Sequence, residues 1–290
     1  MQLRRLIMSN YVKVLGFQIK LELESNPEKE YVIKNKEYER QLEESLKVIR
    51  EKNPNIVIYP EMAYIDDNEK VLRKLSKEKL IIAGSIYRDK RNTTIIFQDG
   101  EKIELPKKYA SGAEPMIRYQ EQKNPQEFLN QDLSSHTFEI EGKKVVVLNC
   151  MEYYHLAYYI AREHPDIFAL ISPCSNNNPK VFQMESNALH NHNENIYSFV
   201  VNGISNYNHQ KYGKGQSYIY GPIQYHEKEW LSQENLLSTS HPSSILTLDD
   251  SPSYFYGEFT NNLVPYGRSD NYTNNPKNIL VKKLGGRNHE

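Results

Sequence analysis

The sequence predicts an α/β protein with mixed sheets, on three observations. Short and almost wholly apolar runs such as Ile56-Val57-Ile58-Tyr59 alternate with segments of helical periodicity. Other segments pair as hairpins around tight turns, and no linker rich in Pro, Gly or Ser interrupts the chain from residue 12 to about residue 250. Strands covered on both faces read as continuous apolar runs, whereas half-exposed strands alternate apolar with polar.

Residues 12–18 alternate and are rich in β-formers, so they form the first strand. Residues 37–50 carry Tyr38, Leu42, Leu46 and Ile49 at helical spacing with charges between them, and Asn53-Pro54-Asn55 ends that helix. The buried strand 56–59 stops at Pro60-Glu61, and a short helical segment over 71–75 leads into a second buried strand over 80–87. Strands 93–98 and 102–105 flank the turn Asp99-Gly100, and strands 137–140 and 144–149 flank Glu141-Gly142. Residues 153–163 are helical, 166–172 form another buried strand, and 198–203 and 216–220 complete the set. One domain over 1–250 is the economical division. Residues 251–290, rich in Asn, Tyr, Ser, Pro and Gly, read as a C-terminal extension or arm rather than a second core.

Bulk properties narrow the function. A formal net charge of -1 and a pI of about 6.8 give no general electrostatic pull toward nucleic acid. No stretch approaches the ~18 apolar residues that span a bilayer, and polar residues interrupt the N-terminus where a secretory leader would be apolar. Two cysteines make no disulfide framework. The expectation is a soluble, cytoplasmic protein whose thiols stay reduced and available for chemistry. His190 and His192 do not suggest a metal site, since on a helix their side chains would point about 200° apart. Ser172 and Ser175 lack the Gly-x-Ser-x-Gly elbow of serine hydrolases.

Three reactive residue types each follow a core-directed segment: Glu61 after 56–59, Lys107 after 102–105 and Cys150 after 145–148. In α/β sheets, side chains at strand carboxyl ends line the crevice where ligands bind. The chemistry is mutually consistent. A thiol becomes a strong nucleophile when a base takes its proton, a carboxylate raised by burial can be that base, and an ammonium can hold an oxyanion. Any one of the three taken alone is as well explained by packing or solvation.

With these residues in view, the chain resembles the nitrilase, or carbon–nitrogen hydrolase, superfamily, whose catalytic residues are a Glu, a Lys and a Cys in that order. Ile58-Tyr59-Pro60-Glu61-Met62 resembles the family's apolar-Pro-Glu block, and Ile81-Ile82-Ala83-Gly84-Ser85 with Tyr87 resembles the strand after it. The lysine block departs from the common aromatic-x-Lys-x-His-Leu, reading Leu105-Pro106-Lys107-Lys108-Tyr109-Ala110. Register favours Lys107, with Lys108 as the rival. Gly142 to Glu152 resembles the Gly, apolar strand, Cys, x, acidic arrangement; Glu194-Asn195 through Val201 and Gly215 through Pro222 match two later blocks.

The resemblance implies a four-layer αββα sandwich that assembles as a homodimer or higher homo-oligomer. It implies hydrolysis of an amide, less often a nitrile, through a Cys150 thioester, with Glu61 as base and Lys107 at the oxyanion. A helix starting just after Cys150 would lower the thiol pKa and make the Met151 N–H a second oxyanion donor. Glu114 falls near a second pocket glutamate, and Cys174 or Asn176 lies in a loop that borders the substrate. No metal or organic cofactor is implied; the partner is a small-molecule amide. Two alternatives stay open: a soluble acyltransferase on the same fold, and a nitrilase-like module serving assembly or signalling within a larger system, for example one in defence.

Overall fold

The computed structural model describes residues 11–24, 35–88, 91–108, 133–161, 164–173, 196–207, 210–221, 244–260 and 277–284. The first half runs β1 (Val12–Gln18), β2 (Lys20–Leu23), α1 (Lys36–Lys52), β3 (Ile56–Ile58), α2 (Glu69–Leu75), β4 (Leu80–Arg88), β5 (Arg91–Gln98) and β6 (Glu101–Pro106). After it come β7 (Thr137–Ile140), β8 (Lys143–Asn149), α3 (Glu152–Ala161), β9 (Ile167–Ser172), β10 (Tyr197–Asn202), β11 (Ile204–Tyr207), β12 (Gln210–Lys214) and β13 (Tyr218–Tyr220). The remaining strands are β14 (Ser244–Thr247), β15 (Ser253–Phe259) and β16 (Lys277–Lys283).

Local sequence sets these boundaries. Asn35 caps α1, its side chain accepting the Tyr38 N–H at 2.8 Å, and Asn53 ends the helix in the left-handed conformation. Asp99-Gly100 and Glu141-Gly142 each supply two positive φ values, the pairing that matches the twist of a two-residue hairpin.

A seven-stranded sheet has the order β16-β15-β1-β3-β4-β5-β6, and a six-stranded sheet the order β14-β13-β10-β9-β8-β7. Each has a parallel centre (β1-β3-β4 and β8-β9-β10) with antiparallel strands outside it. A small sheet, β12-β11-β2, stands apart.

Period-2 side-chain alternation sorts the apolar residues into three layers. Val14, Ile56, Ile58, Leu80 and Ile82 of the larger sheet pack with Val145, Val147, Ile167, Ala169 and Ile171 of the other. Leu15, Phe17, Val57 and Ile81 face the opposite way, against Tyr38, Leu42, Val48 and Ile49 of α1. Val146, Leu148, Phe168 and Leu170 face Tyr153 and Leu156 of α3. Three apolar layers require four structural ones, and the arrangement is the αββα sandwich. No helix among the described residues is long and apolar enough to cross a membrane.

One expectation needs correction. Residues 251–290 are not simply an arm, because β15 pairs along its whole length with β1 inside the larger sheet. Phe255 and Phe259 enter the layer between the sheets, Phe255 stacking on Phe199 at 6.1 Å and Phe259 meeting it edge-on at 4.8 Å. Tyr254 and Tyr256 face the α1 side. Gly16, the register partner of Phe255, has no Cβ because one would lie 2.2 Å from that ring. β16 then forms the sheet edge, with Ile279 and Val281 exposed.

Replacing Phe255 by Ala is expected to cost about 3–5 kcal/mol in equilibrium urea unfolding, the range for emptying an aromatic core site. A residue in a loosely attached arm would cost about 0.5 kcal/mol or less.

Candidate active site

The apolar layer between the sheets turns polar at one end. On β5 the inward-facing series is Ile96, Thr94, Asn92, and on β8 it is Val145, Val147, Asn149. Asn92, Thr94 and Asn149 are all buried, as are Glu61, Lys107 and Glu152. The Asn149 amide reaches across to β5, donating to Thr94 Oγ1 at 3.0 Å and to Asn92 Oδ1 at 3.4 Å.

Glu61 sits on a tight turn beyond β3. The Tyr59 N–H still donates to the Ile82 carbonyl at 2.8 Å, and the Ala63 N–H closes the turn on the Pro60 carbonyl at 3.3 Å. Met62 is held at φ 64, and its N–H donates to Ser85 Oγ at 3.0 Å. Gly84 makes this close approach possible: its φ is 94, and a Cβ there would lie 2.3 Å from the Pro60 carbonyl oxygen. The β4–β5 register shifts between Ile82 and Ser85, a bulge beside the site. From the other side, Tyr38 of α1 donates to the Ala63 carbonyl at 2.6 Å, and Ser45 shares a 2.6 Å hydrogen bond with the Tyr59 hydroxyl. Burial pushes the Tyr59 phenol far above its ordinary range, so it stays neutral.

Lys107 follows β6 directly. Its N–H donates to the Asn92 carbonyl at 2.7 Å, and its Nζ donates to Glu61 Oε1 at 2.9 Å, with both side chains wholly buried. The same carboxylate oxygen accepts from Asn92 Nδ2. Of the two candidate lysines it is Lys107 that meets Glu61. Lys108 is half-buried, and its N–H turns toward Glu152, donating to Oε1 at 2.8 Å.

Cys150 stands where β8 gives way to α3. Its φ is 48, unusual for a residue with a side chain, so the strand-to-helix turn is strained at the sulfur-bearing position. Its N–H donates to the Ile171 carbonyl at 2.8 Å, its carbonyl accepts the Tyr153 N–H at 3.0 Å, and the residue is 4% exposed. Met151, half-buried, separates it from Glu152, the first residue of α3. The Glu152 carboxylate accepts the Asn149 N–H at 3.0 Å on the oxygen that does not hold Lys108. Two buried carboxylates therefore tie the ends of β3, β5, β6 and β8 into one network.

Glu61, Lys107, Cys150 and Met151 thus fall at this one end of the sandwich. Glu114, Cys174 and Asn176 lie outside the described residues, as do His190, His192 and Glu194. Sequence reasoning missed Asn92 and Thr94, and took Asn149 and Glu152 only as parts of the cysteine block without a role of their own. The available signal was parity: Asn92 and Thr94 continue the inward face of an otherwise apolar strand, and Asn149 interrupts the inward valines of β8.

Neither a family model nor a curated protein matches the sequence. Solved structures do. A carbon–nitrogen hydrolase from Helicobacter pylori G27 superposes with a TM-score of 0.58 at 12% identity, over 88% of this chain and 90% of that one. An amidase from Nesterenkonia sp. AN1, carrying the acetamide moiety of fluoroacetamide covalently on its active-site cysteine, gives 0.58 at 12% identity over 86% and 90%. The chain has the carbon–nitrogen hydrolase fold. The same fold occurs within the glutamine-dependent NAD+ synthetase of Acinetobacter baumannii, which superposes with a TM-score of 0.55 at 14% identity over 86% of this chain but 45% of that one.

In this carbon–nitrogen hydrolase fold the Glu61–Lys107 pair is a liability for stability unless both members are kept. Lys107→Met leaves a buried carboxylate without its cation and is expected to cost about 3–5 kcal/mol in urea unfolding, with the double change Glu61→Leu/Lys107→Met recovering most of that loss. A double variant no more stable than the single one would show that the pair is not energetically coupled.

Proposed function

We propose that the protein is an amidase-like hydrolase that cleaves the carbon–nitrogen bond of a small amide through a thioester on Cys150. The observation that carries this reading is the ion pair between Glu61 and Lys107, both fully buried at the end of the sandwich where the Cys150 turn lies. A buried ion pair is a poor way to stabilise a fold, and a buried carboxylate, ammonium and thiol brought to one end of the sandwich are what acyl transfer needs.

In the proposed reaction Glu61 takes the Cys150 proton and the sulfur attacks the carbonyl carbon. The carbonyl oxygen becomes an oxyanion held by Lys107 Nζ and the Met151 N–H. As the intermediate collapses, the carbon–nitrogen bond breaks and the nitrogen takes the proton from Glu61, leaving as ammonia or an amine. Water then gives a proton to Glu61 and attacks the thioester. The carboxylic acid departs and the Cys150 thiol is restored with the proton from Glu61. The α3 amino end beyond Cys150 favours the thiolate. The covalent acetamide on the cysteine of the Nesterenkonia amidase supports, by analogy of fold, a cysteine that acts as a nucleophile. Cys174, Asn176 and Glu114 are proposed to border the substrate.

A second reading, a module of a larger protein in which this site no longer turns over, draws on the synthetase in which the fold makes up less than half the chain. Incubation with short aliphatic amides separates the two, scored by ammonia release and by intact mass. The hydrolase releases ammonia and shows a transient acyl adduct, and Cys150→Ala loses both. Ammonia release that survives Cys150→Ala would eliminate the thioester scheme. Absence of turnover, together with a Cys150 inert to iodoacetamide, would favour the module.

A further inference from the structure

We infer that Asn92 is a positioning residue for the site, holding Glu61 ionised and setting Lys107 and the Cys150 turn in register with it. The inference rests on the reading of Glu61 and Cys150 as base and nucleophile, and concerns a residue that neither touches substrate nor reacts. Three bonds from this one residue reach the three strand ends. Its Nδ2 donates to Glu61 Oε1, its backbone carbonyl accepts the Lys107 N–H at 2.7 Å, and its Oδ1 accepts from Asn149 Nδ2, one residue before Cys150, at 3.4 Å.

The orientation of the amide is fixed by what surrounds it. An ionised carboxylate only accepts, so it must meet Nδ2, and Oδ1 is then turned to the donor on Asn149. Asn92 is wholly buried, and its neighbour two positions on, Thr94, takes the other Asn149 bond, so the amide is held on both sides. A hydrogen bond donated to a charged carboxylate favours the ionised form. Asn92 and Lys107 converge on the same oxygen, so the two donors together offset the burial that would otherwise keep Glu61 protonated. Other titratable groups around the network are Cys150 and Glu152 beyond β8, Tyr87 on β4 as the register partner of Asn92, and His136, whose Nδ1 meets the Val147 carbonyl on β8.

The test follows the rate of iodoacetamide alkylation at Cys150 against pH, read by peptide mass spectrometry so that Cys174 is counted separately. If Glu61 and Cys150 share a proton, the lowest-pH limb belongs to the pair. In Asn92→Leu the ionised pair loses a donor, and the midpoint of that limb is expected to move up by about one to two pH units, the equivalent of one charged hydrogen bond. Asn92→Asp keeps the shape but sets a second carboxylate against Glu61, and is expected to move the limb further in the same direction; it carries the test if the leucine variant does not fold. A purely structural role would lower the rate at every pH and leave the midpoint where it was. Folded variants that keep the wild-type midpoint overturn the assignment of Asn92. An unreactive Cys150, or an ordinary thiol profile that Glu61→Gln also fails to move, overturns the underlying reading, and the assignment with it.

Discussion

Two mixed sheets packed face to face bring the end of β8 against the ends of β3, β5 and β6, and the site depends on that contact. Glu61, Asn92 and Lys107 come from one sheet; Asn149, Cys150 and Glu152 come from the other or just beyond it. Aligned sheets stack about 10 Å apart, a gap that inward side chains must fill from both faces. Along most of the gap valine, isoleucine and phenylalanine fill it. At one end the same inward positions are amide, hydroxyl, carboxylate and ammonium, and they bond to one another across the gap. The polar end is the inter-sheet layer continued with different side chains.

Such a cluster is costly to bury, and the surrounding structure is arranged to hold it. Gly84 lets a strand approach the Glu61 turn, Ser85 takes the Met62 N–H, and Tyr38 takes the Ala63 carbonyl. Glu152 accepts one backbone N–H from each side, which binds the lysine segment to the cysteine turn. Met62, Gly84 and Cys150 all adopt positive φ around the site, as turn and cap residues do elsewhere in the chain. At Cys150, where a strand turns into a helix, such a conformation is the kind of local strain that collects at functional sites.

Legibility in the sequence followed range. Glu61, Lys107 and Cys150 could be read because each ends a run whose apolar character is visible within a few residues. The choice between Lys107 and Lys108 was harder, because it turns on which way the chain leaves β6, and that is set by the Asn92 carbonyl on the neighbouring strand. Asn92, Thr94 and Asn149 are individually unremarkable polar residues, and their meaning lies in side-chain contacts spanning 31 to 57 positions. β15 escaped for another reason. Its Ser, Tyr, Gly and Glu resemble loop composition, and only the partner β1 makes Phe255 and Phe259 a core face. β2, β11 and β14 are four-residue strands whose existence depends on their neighbours more than on their own propensity.

The place of β15 also bears on how the molecule comes into being. One of the two edges of β1 is filled only by a strand far along the sequence; Gln18 of β1 bonds to the Ser251 carbonyl, 233 positions later. Without β15 the larger sheet has an open edge at β1 and an incomplete inner face, whereas β3 to β6 are joined by contacts much closer in sequence. Contacts of such long sequence separation slow folding and prolong the exposure of unpaired strand. The larger sheet is therefore expected to close late in folding, with β15 zippering onto β1.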